Sequence, residues 1–183
     1  MQKISVQDLL AEYAQGKRIF REIDLSQADL FECDLPDIDL QGSDLSHAYL
    51  AYANLSRANL QNAQFQGAEL SNARLPLTNL TNASLEQANL MRADLGYSQL
   101  QGASLANANL QSADLRHAQV CAANLTNANL ACANLQQAEL TNANLAGCNL
   151  SRAQFANLSD AICDDMTIFP DGHRGLGLEP ESG

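Results

Sequence analysis

Three histidines, five cysteines and a group of carboxylates near the C-terminus are the residues of this 183-residue chain whose types could do chemistry. An odd number of cysteines without a Cys-x-x-Cys or Cys-x-x-His spacing fits neither a disulfide framework nor a zinc ribbon. We therefore expect free thiols in a reducing compartment. The histidines are His47, His117 and His173, and their wide spacing favours three solvated side chains over a catalytic centre.

The carboxylates near the C-terminus could be drawn as a metal site together with His173. The group is Asp160, Asp164, Asp165 and Asp171. Because these residues have no recognised metal-ligand spacing, we interpret them as a solvated acidic end of the chain. The glycines are scattered and form no phosphate-binding loop. The sequence thus predicts no catalytic residue, no cofactor and no metal, and the chain is predicted not to be an enzyme.

The composition fits one folded domain. Apolar residues make up 46% of the chain and charged residues 17%, and there is no run of about eighteen apolar residues that could cross a membrane. The first twenty residues lack the apolar segment and the small-residue cleavage site of a secretory signal. We therefore expect a cytoplasmic protein that does not bind a membrane.

The net charge of -11 argues against direct binding of nucleic acid, because cations must replace the counterions of the phosphates. It leaves open a protein that imitates nucleic acid. The charge is unevenly distributed: residues 1–21 carry +2, residues 22–44 carry -8, residues 45–155 carry zero and residues 156–183 carry -5. A mimic of duplex DNA needs negative charge along its whole length, whereas this chain has two acidic ends and a neutral trunk.

A five-residue repeat runs through most of the chain. From Leu25 to Phe155 every fifth position is apolar, and 24 of these 27 positions are Leu. The position two residues earlier is Ala in 20 of the 27 units, and the position between them is Asp or Asn in 17. The repeat therefore has two apolar positions and one polar position that must be explained together.

Neither a helix nor a flat strand accommodates this period. In an α-helix five residues advance the side chain by about 140°, so the leucines would spiral around the axis. In a flat strand, leucines five residues apart would alternate between the two faces. Each unit must therefore hold a short extended segment with Ala and Leu inward, followed by a corner. Repeated corners wind the chain into a coil.

This pattern resembles that of the pentapeptide-repeat proteins, whose motif is a small residue, Asp or Asn, Leu and two polar residues. The match covers residues 19–158 without insertion. The resemblance implies an all-β solenoid, namely a right-handed quadrilateral β-helix with four units per coil, and hence about seven coils. The helical start and the lead-in at residues 17–20 are similar to those of cyanobacterial members of the family.

The two ends depart from the repeat. Ser5-Val6-Gln7-Asp8 has the form of a capping box, and apolar residues at helical spacing follow it as far as Gly16. We therefore assign residues 1–18 to a short α-helical cap and lead-in, with the helix from about Val6 to Gln15. Residues 19–168 are assigned to the β-helix and residues 169–183 to a turn and a mobile tail. Because no C-terminal helix is available for dimerisation, we expect a monomer.

The repeat changes register after residue 155. The triplets that continue the motif are Ala156–Leu158, Ala161–Cys163 and Met166–Ile168. These triplets stand three residues out of phase with the trunk, which indicates that the coil ends in this region.

With twenty residues per coil, residues twenty apart should stack on adjacent coils. The stacking predicts an exposed aromatic cluster with acidic neighbours, made of Phe31, Tyr49, Tyr52, Glu32 and Asp29. This is the first candidate interaction patch. A second, weaker candidate places Leu77 beneath Tyr97 and His117. The remaining outward positions are mostly amides, hydroxyls and Ala.

Three classes of function compete. The first is a rigid, non-enzymatic scaffold or regulator that binds a protein partner of unassigned identity. The second is implied by the resemblance, since some members of the family mimic DNA and bind DNA gyrase. Those members are typically dimeric through a C-terminal helix, some carry projecting loops, and their inward residue is often Phe. The third is an enzyme. The neutral trunk and the nearly uniform Leu favour the first class.

Overall fold

A computed structural model describes residues 1–175, which form a rod of stacked four-sided coils. Parallel β-bridges join residues twenty apart, from Ile19 with Asp39 to Asn134 with Gln154. Each five-residue unit contributes one bridged residue and one corner, so four units complete a coil. The four sides that the resemblance implies are therefore present.

The N-terminal residues add one helix and a two-stranded sheet. Strand β1 (Gln2–Lys3) pairs in parallel with strand β2 (Ile23–Asp24), and helix α1 (Val6–Ala14) lies between them in sequence. Ser5 is the N-cap of α1, because its hydroxyl oxygen accepts a hydrogen bond from the Asp8 N–H at 3.1 Å. The sequence predicts this helix to within one residue, whereas strand β1 is too short to leave a pattern.

Helix α1 packs against the first coil. Leu9 is completely buried and belongs to the main hydrophobic core. The Tyr13 hydroxyl donates a hydrogen bond to the Pro36 carbonyl oxygen at 2.6 Å, and the Arg18 guanidinium lies 3.8 Å from the centre of the Tyr13 ring. The helix is thus tied to the coil by one buried side chain and one hydrogen bond. Within residues 1–175 no helix is long and apolar enough to span a membrane.

The core consists of stacked columns of leucines. Every fifth residue from Leu25 to Leu150 is at most 4% exposed, which excludes water from the axis of the rod. Each side also has a backbone ladder: the Leu110 N–H donates to the Asn129 carbonyl at 2.7 Å, and the Asn129 N–H donates to the Ala108 carbonyl at 2.9 Å. The same two bonds recur along the trunk, so the backbone is paired where the leucines are buried.

The corners explain the polar position of the repeat. The central Asp or Asn accepts a hydrogen bond from the N–H two residues later, as Asn109 Oδ1 does from Gln111 at 3.2 Å. This Asx turn begins the corner. The second corner residue then adopts the left-handed conformation, which 24 non-glycine residues of the described chain show, none of them β-branched. Left-handed backbone costs about 1–2 kcal/mol per residue and is hardest for β-branched side chains.

Phe155 is not inward, contrary to the sequence analysis. Its side chain is 67% exposed and its backbone is left-handed, with φ 58°. The previous left-handed corner is at Arg152, so the chain turns again after three residues instead of five. This early corner directs the aromatic ring outward and begins the change of register.

The last predicted triplet, Met166–Ile168, is also placed incorrectly, by one residue. Ile162 pairs with Asn144, in agreement with the triplet around it, but Ile168 instead of Thr167 pairs with Asn149. Thr167 is fully buried and its hydroxyl donates to the Leu145 carbonyl at 3.0 Å. The Asp164 carboxylate accepts from the Thr167 N–H at 3.0 Å, which closes a three-residue corner where the repeat has two.

The chain closes with a turn after the last bridged triplet. The Gly172 N–H donates to the Phe169 carbonyl at 2.9 Å, and Gly172 has φ 89°. The expected mobile tail falls on residues 176–183, which lie outside the described residues.

Replacing Leu110 by Trp tests the packing of the core. Leu110 is completely buried, and the larger ring must displace the leucines stacked above and below it. Overpacking of this kind costs about 3 kcal/mol, so we expect the melting temperature to fall by roughly 10 °C. The outward variant Gln111→Trp, one residue away, is the control and should melt within about 2 °C of the wild type. Equal melting of both variants in circular dichroism would contradict the inward assignment.

Candidate protein-interaction site

Three aromatic side chains cluster on the surface of the first two coils. The rings of Phe31 and Tyr49 are stacked, with centroids 5.5 Å apart and planes at 10°. The Tyr52 ring meets Phe31 edge to face, with centroids 6.0 Å apart. The three side chains are 42%, 45% and 55% exposed, respectively. We call these three residues the aromatic patch; the twenty-residue stacking brings them together as predicted.

Each member of the aromatic patch takes a different position of the repeat. Phe31 is the first residue of a corner, and Tyr52 is the second residue of the corner one coil later, with φ 61°. Tyr49 is the central residue of a side and forms parallel bridges with Asp29 on one coil and Glu69 on the next. The patch therefore spans a side and a corner, both fixed by the backbone ladder.

Tyr49 replaces a residue that the coil uses structurally. Asp29 Oδ1 accepts from the Phe31 N–H at 3.2 Å, and Glu69 Oε1 accepts from the Ser71 N–H at 2.9 Å. A tyrosine has no oxygen close enough to its backbone to make the equivalent bond. Tyr52 likewise occupies a left-handed position where Asn is better tolerated. The turns of the coil therefore do not explain these two tyrosines.

The surface around the aromatic patch is acidic. Asp29 and Glu32 are exposed on either side of Phe31 in sequence. Burial raises the pKa of Glu69, but hydrogen bonds from Ser71 and Asn89 outweigh it, so the net pKa is lowered and this carboxylate is charged at neutral pH. The patch thus lies among three carboxylates, two from the first coil and one from the coil two further along the rod.

Most carboxylates of residues 22–44 have no cationic partner in the described part of the chain. Asp37 pairs with Arg57 at 2.6 Å and Asp39 pairs with Arg21 at 2.7 Å, and the hydrogen bond from Arg57 lowers the pKa of Asp37. Within residues 1–175 no ion pair involves the other six, which are Glu22, Asp24, Asp29, Glu32, Asp34 and Asp44. The negative charge at this end is therefore available to a binding partner.

The second candidate patch is smaller. Leu77 and Tyr97 are 58% and 56% exposed. They occupy the same corner on successive coils, and a hydrogen bond from the Leu77 N–H to the Gly96 carbonyl joins the two corners. The Tyr97 ring stacks on His117, with centroids 4.5 Å apart and planes at 8°. The three residues stack in the predicted order, Leu77, Tyr97 and His117. The next residue at this corner is Gln137, so the second patch contains one stacked pair, a phenol on an imidazole.

One side of the rod is distinctive in a way that the five-residue period does not reveal. The side that contains residues 33–35, together with its two corners and their stacked equivalents, carries all five arginines of residues 45–155: Arg57, Arg74, Arg92, Arg116 and Arg152. It also carries Phe31 and Tyr52 at one corner and the second patch at the other. Sorting the sequence by position within twenty residues would have revealed this arginine side.

The residues first considered for chemistry are dispersed. All five cysteines are free, and burial raises the pKa of Cys148, which lies in the inward Ala column, to about 12. Asp171 and His173 lie 3.5 Å apart on the surface. Within residues 1–175 no three His, Cys, Asp or Glu side chains are grouped so as to hold a metal ion.

A cavity of about 690 Å³ opens beside the last coil. Its walls are mainly apolar and include Ile162, Cys163 and Phe169. It extends to Gly175, where the described chain ends. Burial, together with the nearby Asp164 carboxylate, raises the pKa of Cys163, which disfavours the reactive thiolate form of this side chain.

The chain belongs to the pentapeptide-repeat family. The family model for pentapeptide repeats matches in eight copies, over residues 19–46, 38–75, 58–96, 88–127 and 122–162. This membership, with the solved structures below, implies that the coil is a right-handed β-helix. Among curated proteins, none matches the chain in sequence.

Several solved pentapeptide-repeat structures are similar to this chain. Full-length QnrB1, a plasmid-mediated fluoroquinolone resistance protein, is 18% identical with a TM-score of 0.55, covering 90% of each chain. HetL from Nostoc sp. strain PCC 7120, involved in heterocyst differentiation regulation, is 29% identical with a TM-score of 0.34, covering 93% of this chain and 99% of its own. Rfr23 from Cyanothece 51142 is 24% identical with a TM-score of 0.27, covering 90% and 99%.

Replacing both tyrosines of the aromatic patch by Asn tests whether they stabilise the coil. Tyr49→Asn restores the residue that caps the corner, and Tyr52→Asn places Asn in a left-handed position. Each of these changes contributes about 0.5–1 kcal/mol, and loss of the ring contacts with Phe31 offsets about the same amount. We therefore expect the double variant to melt within a few degrees of the wild-type temperature. A fall of more than about 5 °C in calorimetry would contradict this and assign the tyrosines a structural role.

Proposed function

We propose that this chain is a non-enzymatic interaction module that binds a protein partner through the aromatic patch. The observation that carries the proposal is that two tyrosines stand exposed where the coil favours Asn, in contact with an exposed Phe31. Exposed aromatic side chains supply large contact areas with little loss of conformational entropy, and they dominate many protein interfaces. A binding role accounts for residues that the turns of the coil do not need.

The rigidity of the rod supports such a role. Backbone hydrogen bonds link each side to the coils above and below it, and the buried leucine columns pack against its inner face. Side chains at the corners are therefore presented at fixed spacings before any partner binds. Preorganisation of this kind reduces the entropy lost on association.

Helix α1 has a supporting part in the proposal. An open coil ends in unpaired backbone groups that can template association. Strand β1 pairs with β2, and Leu9 covers the first coil, so we assign the N-terminal segment the role of a cap. A capped rod without a dimerisation helix in the described residues is consistent with a monomeric module.

The DNA-mimicking alternative receives less support from the charge layout. Such a mimic needs regularly spaced carboxylates along its length. Here the side that runs through residues 33–35, together with its two corners, carries five arginines beyond the first coil, two of which pair with aspartates. A partner surface that binds phosphates is itself positively charged, so the remaining arginines would be repelled by it. An enzymatic role would need a convergent set of reactive groups, and the described side chains that could react are dispersed.

Affinity capture with Tyr49→Asn/Tyr52→Asn tests the proposed function. Wild type and variant are immobilised at equal density and exposed to lysate of the source organism, and retained proteins are quantified by mass spectrometry. We expect at least one protein to be depleted about tenfold or more with the variant, because loss of two interface tyrosines typically costs more than 1.4 kcal/mol. Retention of all proteins at wild-type levels would contradict the proposal.

Gln137→Asn is the matched control, since Gln137 also occupies an exposed left-handed corner and lies more than four coils from the aromatic patch. It should retain the partner at the wild-type level. Tyr97→Asn makes the same change in the second patch and shows how far the contact extends along the rod. Equal loss of the partner with Gln137→Asn would remove the aromatic patch as the binding site.

A further inference from the structure

We propose that the aromatic patch with Asp29 and Glu32 binds an arginine side chain of the protein partner. This inference rests on the proposed function and specifies the chemistry of the group that the patch accepts. Its basis is the combination of exposed, clustered aromatic rings with carboxylates that have no cationic partner in the described residues. Neither feature alone defines a ligand, but together they are complementary to one side chain.

The rings supply the first half of the site. Phe31 and Tyr49 are stacked, Tyr52 meets Phe31 in a T-shaped contact, and all three rings are exposed, so the cluster presents aromatic surface in more than one orientation. Planar cations bind the faces of aromatic rings through the ring quadrupole. In residues 1–175 the cation–π contacts involve Lys17 with Phe20 and Arg18 with Tyr13, and neither reaches the patch.

The carboxylates supply the second half. Asp29 uses Oδ1 to cap the following corner, which leaves Oδ2 free to accept a further hydrogen bond. Glu32, on the corner next to Phe31, is exposed and makes no ion pair within residues 1–175. A cation over the rings would therefore gain charge-assisted hydrogen bonds at their edge.

Arginine fits this combination better than lysine does. The guanidinium is planar and weakly hydrated, so it can stack on a ring while its N–H groups donate to a carboxylate in the same plane. The ammonium of lysine is strongly hydrated and cannot stack. Phosphates and acidic peptides are repelled, because Asp29, Glu32 and Glu69 surround the rings.

Nuclear magnetic resonance titrations of the full-length ¹⁵N-labelled chain test the inference with blocked tetra-arginine, tetra-lysine and tetra-glutamate peptides at low salt. We expect saturable shifts of the amides of residues 29–32 and 49–52 with tetra-arginine. Binding of tetra-lysine should be about threefold weaker or more, and tetra-glutamate should cause no shifts there. Equal affinity for the arginine and lysine peptides, or shifts spread over the whole acidic end, would overturn the inference.

Two variants separate the rings from the carboxylates. Phe31→Gln/Tyr49→Asn/Tyr52→Asn keeps every charge and should lower the affinity for tetra-arginine about three- to tenfold while abolishing the preference over lysine. Asp29→Asn/Glu32→Gln keeps the rings and should lower the affinity by a similar factor. Unchanged affinity in either variant would overturn the inference.

Asp24→Asn/Asp44→Asn is the matched control for charge. It removes two carboxylates from a different side of the same end, and Asn preserves their hydrogen bonds to the N–H groups of Ser26 and Ser46. The affinity should stay within about twofold of the wild type. An equal loss with this control would show that bulk acidity, not the patch, attracts the peptide.

The outcome can be distinguished from that of the proposed function. If affinity capture depends on the tyrosines but tetra-arginine does not bind, the module binds its partner through other chemistry and the arginine inference is wrong. Sedimentation of the free protein tests a second copy as the occupant, since the arginine side could supply the cation. If the wild type self-associates and the triple variant does not, the arginine that binds the patch comes from a second copy of this chain, and the inference of an arginine from a different protein is wrong.

Discussion

The structure depends on one constraint, namely that residues twenty apart are hydrogen-bonded in parallel register on every side of the coil. The ladder satisfies the backbone along the trunk, and it places each leucine over the leucine of the next coil. Burial of the leucine columns and pairing of the backbone therefore reinforce each other. A residue that is too large inside, or a corner that is too short, disturbs both together, as the early corner at Phe155 does at the end of the coil.

The same constraint leaves the outer positions free to vary. The coil requires Asp or Asn before each Leu only as a cap for the corner, and it requires the left-handed conformation at the second corner residue. Where Tyr49 and Tyr52 replace the residues that suit these positions best, the local structure loses a favourable interaction. The account of function follows from this contrast, because the exposed rings lie beside carboxylates that the described chain leaves without a cation.

Much of this molecule is predictable from its sequence because the repeat is strict. The five-residue period gives the corners, and the resemblance supplies the four sides. Together they define a coil of twenty residues, which places Tyr49 beside Phe31. The failures occur where the period ends. Phe155 still follows the five-residue spacing but lies on a corner, and the buried residue of the final unit is Thr167, because the Asp164 carboxylate closes a three-residue corner. Strand β1 is two residues long and is fixed by tertiary pairing with β2, which no local pattern encodes.

The most direct test of this account is disulfide trapping of the register in a background from which the five native cysteines have been removed. Asn89 and Asn109 are bridged residues on adjacent coils, and the ~4.8 Å separation of paired strands lies within the range that a disulfide can span. The account predicts that Asn89→Cys/Asn109→Cys oxidises rapidly to an intramolecular disulfide. Asn89→Cys/Gln99→Cys, half a coil apart, should stay reduced under the same conditions. Oxidation of the second pair and not of the first would contradict the twenty-residue register, and with it the placement of the aromatic patch.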